Sequence, residues 1–116
     1  MERLDYREIS TEGFGILGAL SNYVHGCGLE ISLMELVKLR ASQINGCANC
    51  VELHANKLRK LGECENRLQS LVVWRDSPEF SERETAALAW CESVTLVSES
   101  RVPDDIFERA KSQFTD

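Results

Sequence analysis

A chain of 116 residues is the size of one domain, and 43% hydrophobic residues supply enough apolar side chains for a core. A formal net charge of −6 argues against nucleic acid or an anionic membrane surface as partner. Two prolines and seven glycines are too few for a disordered chain or for two domains on a linker. No apolar run approaches the roughly 18–20 residues of a membrane span, and the first residues, Met1-Glu2-Arg3-Leu4-Asp5, lack a signal-peptide shape. The expectation is a soluble, cytoplasmic protein organised as a single domain over residues 1–116.

The hydrophobic period is helical nearly throughout, and no strong strand run or hairpin signal interrupts it. A first helix is predicted from about Thr11 to Val24, with Phe14, Leu17, Leu20 and Val24 on its apolar side and Gly26 to Gly28 as its end. A second begins with Ser32 as N-cap and Glu35 at N3, the capping-box arrangement, and runs to Asn45-Gly46. A third, near Gly46 to Leu61, stops at Gly62 in the C′ position. A fourth spans about Glu65 to Trp74 before Asp76-Ser77-Pro78. Ser81, with Glu84 at N3, caps a fifth that runs to about Val97, and Pro103 opens a sixth that carries Ile106, Phe107 and Phe114. The fold class is all-α.

Five cysteines make an odd count, unlike a secreted disulfide framework: Cys27, Cys47, Cys50, Cys64 and Cys91. Cys47 and Cys50 form a C-x-x-C, and His54 follows four residues after the second thiol. On a helix the three side chains fall within about 60° of one another. Two thiols and an imidazole on one stripe can perform thiol–disulfide chemistry. A thiolate is the nucleophile, and two rules nominate different ones. The first turn of a helix favours charge on Cys47, whereas the imidazole one turn along can reach Cys50. Either sulfur can resolve an adduct on the other, because an oxidised thiol condenses with its neighbour to a disulfide.

Alternatives stand beside this reading. Cys47, Cys50 and His54 could ligate zinc with Cys64 or His25 as fourth ligand, although no second C-x-x-C is present. Val51 after Cys50 rules out haem attachment. Cys27, Cys64 and Cys91 read as small hydrophobes. Glu35 has a capping role that would explain it without any chemistry.

Glu35, Cys47, Cys50 and His54 share a spacing with a known family: a glutamate, then C-x-x-C-x-x-x-H beginning twelve positions later. With the run Glu35 to Gln43 and the later stretches Trp74 to Pro78, Phe80 to Glu84 and Ala86 to Trp90, the chain resembles the AhpD-like alkylhydroperoxidase branch of the carboxymuconolactone decarboxylase family over roughly residues 12–114. The resemblance implies a compact orthogonal bundle of about six helices with the C-x-x-C at the start of the third. It implies a thiol-dependent peroxidase, of antioxidant type, that reduces hydroperoxides and is re-reduced by a thiol or dithiol donor, with no cofactor and no metal. It also implies a homo-oligomer, commonly a trimer or hexamer, for which non-polar positions on the first helix could form the interface.

By the same resemblance Cys50 attacks the peroxide, Cys47 resolves, and His54 with Glu35 relays the proton. The sequence departs from the pattern at Asn49, where the best-known relatives carry a second histidine. Relatives also often continue past Phe114-Thr115-Asp116 with another apolar helix, so a neighbouring subunit is expected to cover that part of the core unless this branch is shorter. Lactone decarboxylation with His54 as acid–base is the alternative enzyme chemistry, and a non-catalytic zinc-binding or oligomeric module is the alternative outside catalysis.

Overall fold

The computed structural model describes residues 3–116, and among them every regular element is helical. Internal contacts divide the chain into two units, one ending at Ile31 and one spanning Ser32–Asp116.

The first unit opens with a single turn that the periodicity does not predict, α1 (Tyr6–Ile9). The Asp5 carboxylate makes it possible by accepting from the backbone N–H groups of Arg7 and Glu8 at 3.1 and 3.3 Å. The predicted first helix is present as α2 (Thr11–His25) and stops at Gly26. It buries no residue: Phe14, Leu17, Leu20 and Val24 are 41%, 63%, 58% and 48% exposed.

The second unit holds the core. It runs through α3 (Ile31–Asn45), α4 (Ala48–Lys60), α5 (Glu65–Ser70), a 3₁₀ segment over Leu71–Asp76, α6 (Glu82–Thr95), α7 (Val97–Ser100) and α8 (Asp104–Gln113). Leu36 and Leu39 of α3, Leu58 of α4, Leu68, Leu71, Trp74, Phe80, Leu88 and Ala89 form one buried cluster. Val51, Ala55 and Ile106 pack against it. Burying each of the large members stabilises the unit by about 1.5–3 kcal/mol.

Two glycine stops set the lengths of α3 and α4. Gly46 has φ +67°; its N–H donates to Gln43 O and that of Cys47 to Ser42 O, at 3.2 and 3.1 Å. Gly62 has φ +92° and repeats the pattern, with its own N–H on Arg59 O and that of Glu63 on Leu58 O. This is the Schellman arrangement, which needs a residue without a Cβ penalty in the left-handed region.

Three boundaries differ from expectation. Helix α3 starts at Ile31, so Ser32 lies inside it and Glu35 is freed from the capping-box role. Cys47 is the N-cap of α4 rather than a residue of its first turn. The predicted fourth helix gives way after Ser70 to 3₁₀ geometry. There Leu71 and Trp74 share one buried side while Val72 and Val73 are 57% and 56% exposed. In a 3₁₀ turn residues i and i+3 eclipse, which is what this pair needs, and two successive β-branched residues are poor α-helix formers. The Ser81–Glu84 capping box is present in both directions, at 3.2 and 2.9 Å.

Candidate functional site

Helices α3 and α4 are joined by the tight turn at Gly46 and share one core. Leu36 and Leu39 face that core from α3 and Leu58 from α4. Glu35 is adjacent to Leu36, and His54 is one turn before Leu58. Their side chains therefore meet: His54 Nδ1 lies 2.6 Å from Glu35 Oε2. Both are largely shielded, with side chains 15% and 5% exposed.

Two lysines complete the group. Lys38 Nζ lies 3.6 Å and Lys57 Nζ 3.7 Å from the other carboxylate oxygen, Glu35 Oε1. Burial alone would raise the pKa of Glu35. The hydrogen bond with His54, and the positive charges of Lys38, Lys57 and His54, outweigh burial and hold it below the ordinary carboxylate value. An ionised carboxylate only accepts, so His54 Nδ1 donates this hydrogen bond, and in the neutral imidazole the lone pair is then on Nε2.

Cys47 and Cys50 are joined as a disulfide, with Cα atoms 5.3 Å apart, at the mouth of α4 and one turn before His54. Both are partly buried, so the pair is shielded on one side and reachable on the other. A cleft of about 380 Å³ runs along the outer face of the same helix, lined by Asn49, Glu52, Leu53, Asn56, Lys57 and Lys60. Asn49 sits between the two cysteines and opens onto this cleft.

All four residues singled out by spacing thus fall on the α3–α4 pair. The other cysteines lie elsewhere. Cys27 and Cys64 are exposed. Cys91 is buried, its thiol donates to Val37 O at 3.4 Å, and burial pushes its pKa up. His25 Nδ1 lies 2.6 Å from Ser21 O within its own helix. Among the described residues no three His, Cys, Asp or Glu side chains group so as to hold a metal ion, and no helix is long and apolar enough to cross a membrane.

The residues that sequence reasoning missed are Lys38 and Lys57. Their signal is positional: Lys38 follows Glu35 by three residues and Lys57 follows His54 by three. On a helix that spacing puts a side chain beside its partner.

A helical protein with a C-x-x-C at a helix mouth, a histidine one turn on and a glutamate from the preceding helix is defined by that hairpin more than by its surface. The chain belongs to the carboxymuconolactone decarboxylase family, whose model matches residues 15–93, and within it is AhpD-like. It is similar to the solved structure of ATU0492 from Agrobacterium tumefaciens, described as of unknown function and a candidate antioxidant defence protein AhpD. That match has a TM-score of 0.93 and 43% identity, and covers 100% of this chain and 80% of that one. Among curated relatives it is 36% identical to YdfG of Bacillus subtilis (strain 168), over 97% of this chain and 77% of that protein. It is 29% identical to YnjA of Escherichia coli (strain K12), over 74% of this chain and 47% of that protein. Both are described as uncharacterized.

Proposed function

We propose that this protein is a thiol-dependent peroxidase working through Cys47 and Cys50. The observation that carries the reading is the close C-x-x-C one turn from an imidazole whose Nδ1 is held by a buried carboxylate. His54 Nε2 takes the proton of the Cys50 thiol, and the thiolate attacks the distal oxygen of a hydroperoxide. The O–O bond breaks, Cys50 becomes a sulfenic acid, and the leaving alkoxide takes the proton back from His54 as an alcohol. The Cys47 thiol then condenses with the sulfenic acid, forming the disulfide and releasing water. Two thiols and one hydroperoxide give one disulfide, one alcohol and one water. An external thiol or dithiol donor restores the reduced pair by exchange. The proximity of the two cysteines, with Cα atoms 5.3 Å apart, supports such a cycle. The neighbour described as a candidate antioxidant defence protein fits this reading.

The assembly is part of the proposal. Leu4, Ile9, Ile16, Leu17, Leu20 and Tyr23 are each more than half exposed. An isolated helix of this length is marginal in water without a surface to pack on. We read this face as the contact with further copies of the chain.

The test is a thiol count by mass spectrometry on reduced protein before and after one equivalent of cumene hydroperoxide. Loss of two hydrogens mapped to the Cys47–Cys50 peptide, abolished in Cys50→Ser, is expected. An unchanged count would overturn the peroxidase reading. Lactone decarboxylation that survives Cys50→Ser would put His54 to work without the thiols.

A further inference from the structure

The two oxygens of Glu35 do different work. Oε2 faces His54 Nδ1 at 2.6 Å, while Oε1 faces Lys38 Nζ at 3.6 Å and Lys57 Nζ at 3.7 Å. One lysine comes from α3, three residues after the glutamate, and the other from α4, three residues after the histidine. The same carboxylate is thus clamped from both helices.

A shielded Glu–His pair has two arrangements, which differ by one proton. With a single proton, on Nδ1, the carboxylate is charged and Nε2 is the basic nitrogen. When the pair takes a second proton from solvent it is neutral: Oε2 is protonated and donates to Nδ1, and the ring carries its own proton on Nε2. Burial penalises a charged carboxylate and pulls toward the second arrangement. Two ammonium groups on Oε1 oppose that pull, and they also stop the carboxylate from turning its oxygens about the Cγ–Cδ bond. The glutamate is 4% exposed, so water cannot take over their task.

We propose that Lys38 and Lys57 are positioning residues for His54: by holding Oε1 of Glu35 from both helices they keep Oε2 as acceptor of the Nδ1 proton and leave Nε2 as the ring's base. The proposal rests on the reading of His54 as the base of the dithiol site. It also gives the α4 cleft a connection to the chemistry, because Lys57 lines that cleft while touching Glu35.

Two measurements on reduced protein at pH 8 test it: the His54 tautomer from ¹⁵N imidazole shifts, and the rate of Cys47–Cys50 disulfide formation with cumene hydroperoxide. The chain has two histidines, so a His25→Gln background assigns the signals. Wild type is expected to show the Nδ1–H tautomer. Lys57→Met should shift part of the population to Nε2–H and slow disulfide formation about three- to fivefold, the scale of a partly exposed charge pair. Lys38→Met/Lys57→Met should do more, and Lys57→Arg should restore both readouts.

An unmoved tautomer in the double variant, or Lys57→Arg failing as badly as Lys57→Met, overturns the proposal. A merely stabilising role would lower the urea midpoint and leave the tautomer in place. Lys57 has a side chain 47% exposed, so the single Met variant is expected to fold even where the double variant does not. Should wild type form no disulfide with peroxide while the tautomer shifts as expected, the peroxidase reading fails and the role of the lysines stands.

Discussion

At the scale of single residues, the proposed chemistry turns on one imidazole with one nitrogen committed. Glu35 holds Nδ1 of His54 at 2.6 Å, and the proposal gives Nε2 the role of base. Glu35→Gln keeps an acceptor oxygen but removes the charge. It is expected to slow peroxide-driven disulfide formation by about 10- to 100-fold, the range for partners that orient a catalytic histidine. Stopped-flow measurement on reduced protein, with the fold checked by circular dichroism, decides this. A rate unchanged within twofold would reduce Glu35 to a structural carboxylate. Cys50 and His54 were readable as a pair because a helix converts sequence distance into a fixed angle, whereas the place of Glu35 came from the family spacing. The reading of Glu35 as a capping residue was equally legible and does not hold. Helix α3 begins two residues earlier than a cap at Ser32 requires, and the carboxylate is taken by groups on another helix. No local pattern reveals that competition.

At the scale of elements, the α3–α4 hairpin depends on its glycine. Both Gly46 and Gly62 sit at positive φ, where an added Cβ is strained. Gly46→Ala and Gly62→Ala are each expected to cost about 1–2 kcal/mol in urea unfolding. Only Gly46→Ala should also slow disulfide formation, since it displaces Cys47, whose N–H closes the turn on Ser42 O. Ser81→Ala should cost about 1 kcal/mol through loss of the capping box, with the peroxide reaction unchanged. Glycine stops and caps were legible because they are local chemistry. The break into 3₁₀ geometry after Ser70 was not, because it follows from which side of Leu71 and Trp74 finds the core.

At the scale of the whole molecule, shielded carboxylates set the response to acid. Glu92 accepts from Arg40 Nε at 2.9 Å and Trp74 Nε1 at 2.8 Å, and also from Arg75, tying α3, the 3₁₀ segment and α6 together. Glu84 is held by Arg67. Burial raises Glu35, Glu84 and Glu92, yet their hydrogen bonds and neighbouring cations win, and all three lie below the ordinary value of 4.5. Folded carboxyls with depressed pKa bind fewer protons than the unfolded chain between the two values. Their contribution is therefore complete above about pH 5 and is lost as pH falls through the folded values. Urea midpoints should be level from pH 7 to 5 and drop below pH 4, less steeply in Glu92→Gln. That variant is itself expected to lose about 2 kcal/mol at pH 7. For the assembly, sedimentation should show an oligomer that Leu17→Glu/Leu20→Glu dissociates, and a monomeric wild type would remove the interface from α2.

The sequence by itself determined the helical class, the glycine stops and the Ser81 cap, and the one-turn spacing of Cys50 and His54, because each follows from backbone sterics and a period of 3.6 residues. Tertiary structure alone decided that Glu35 leaves its cap for His54, that two lysines close on its second oxygen, and that Glu92 gathers Arg40, Trp74 and Arg75. Those contacts bridge 17 to 52 residues or join two helices at one carboxylate. They exist because the packed core shields the carboxylates of Glu35 and Glu92 from water and leaves them neighbouring donors as partners.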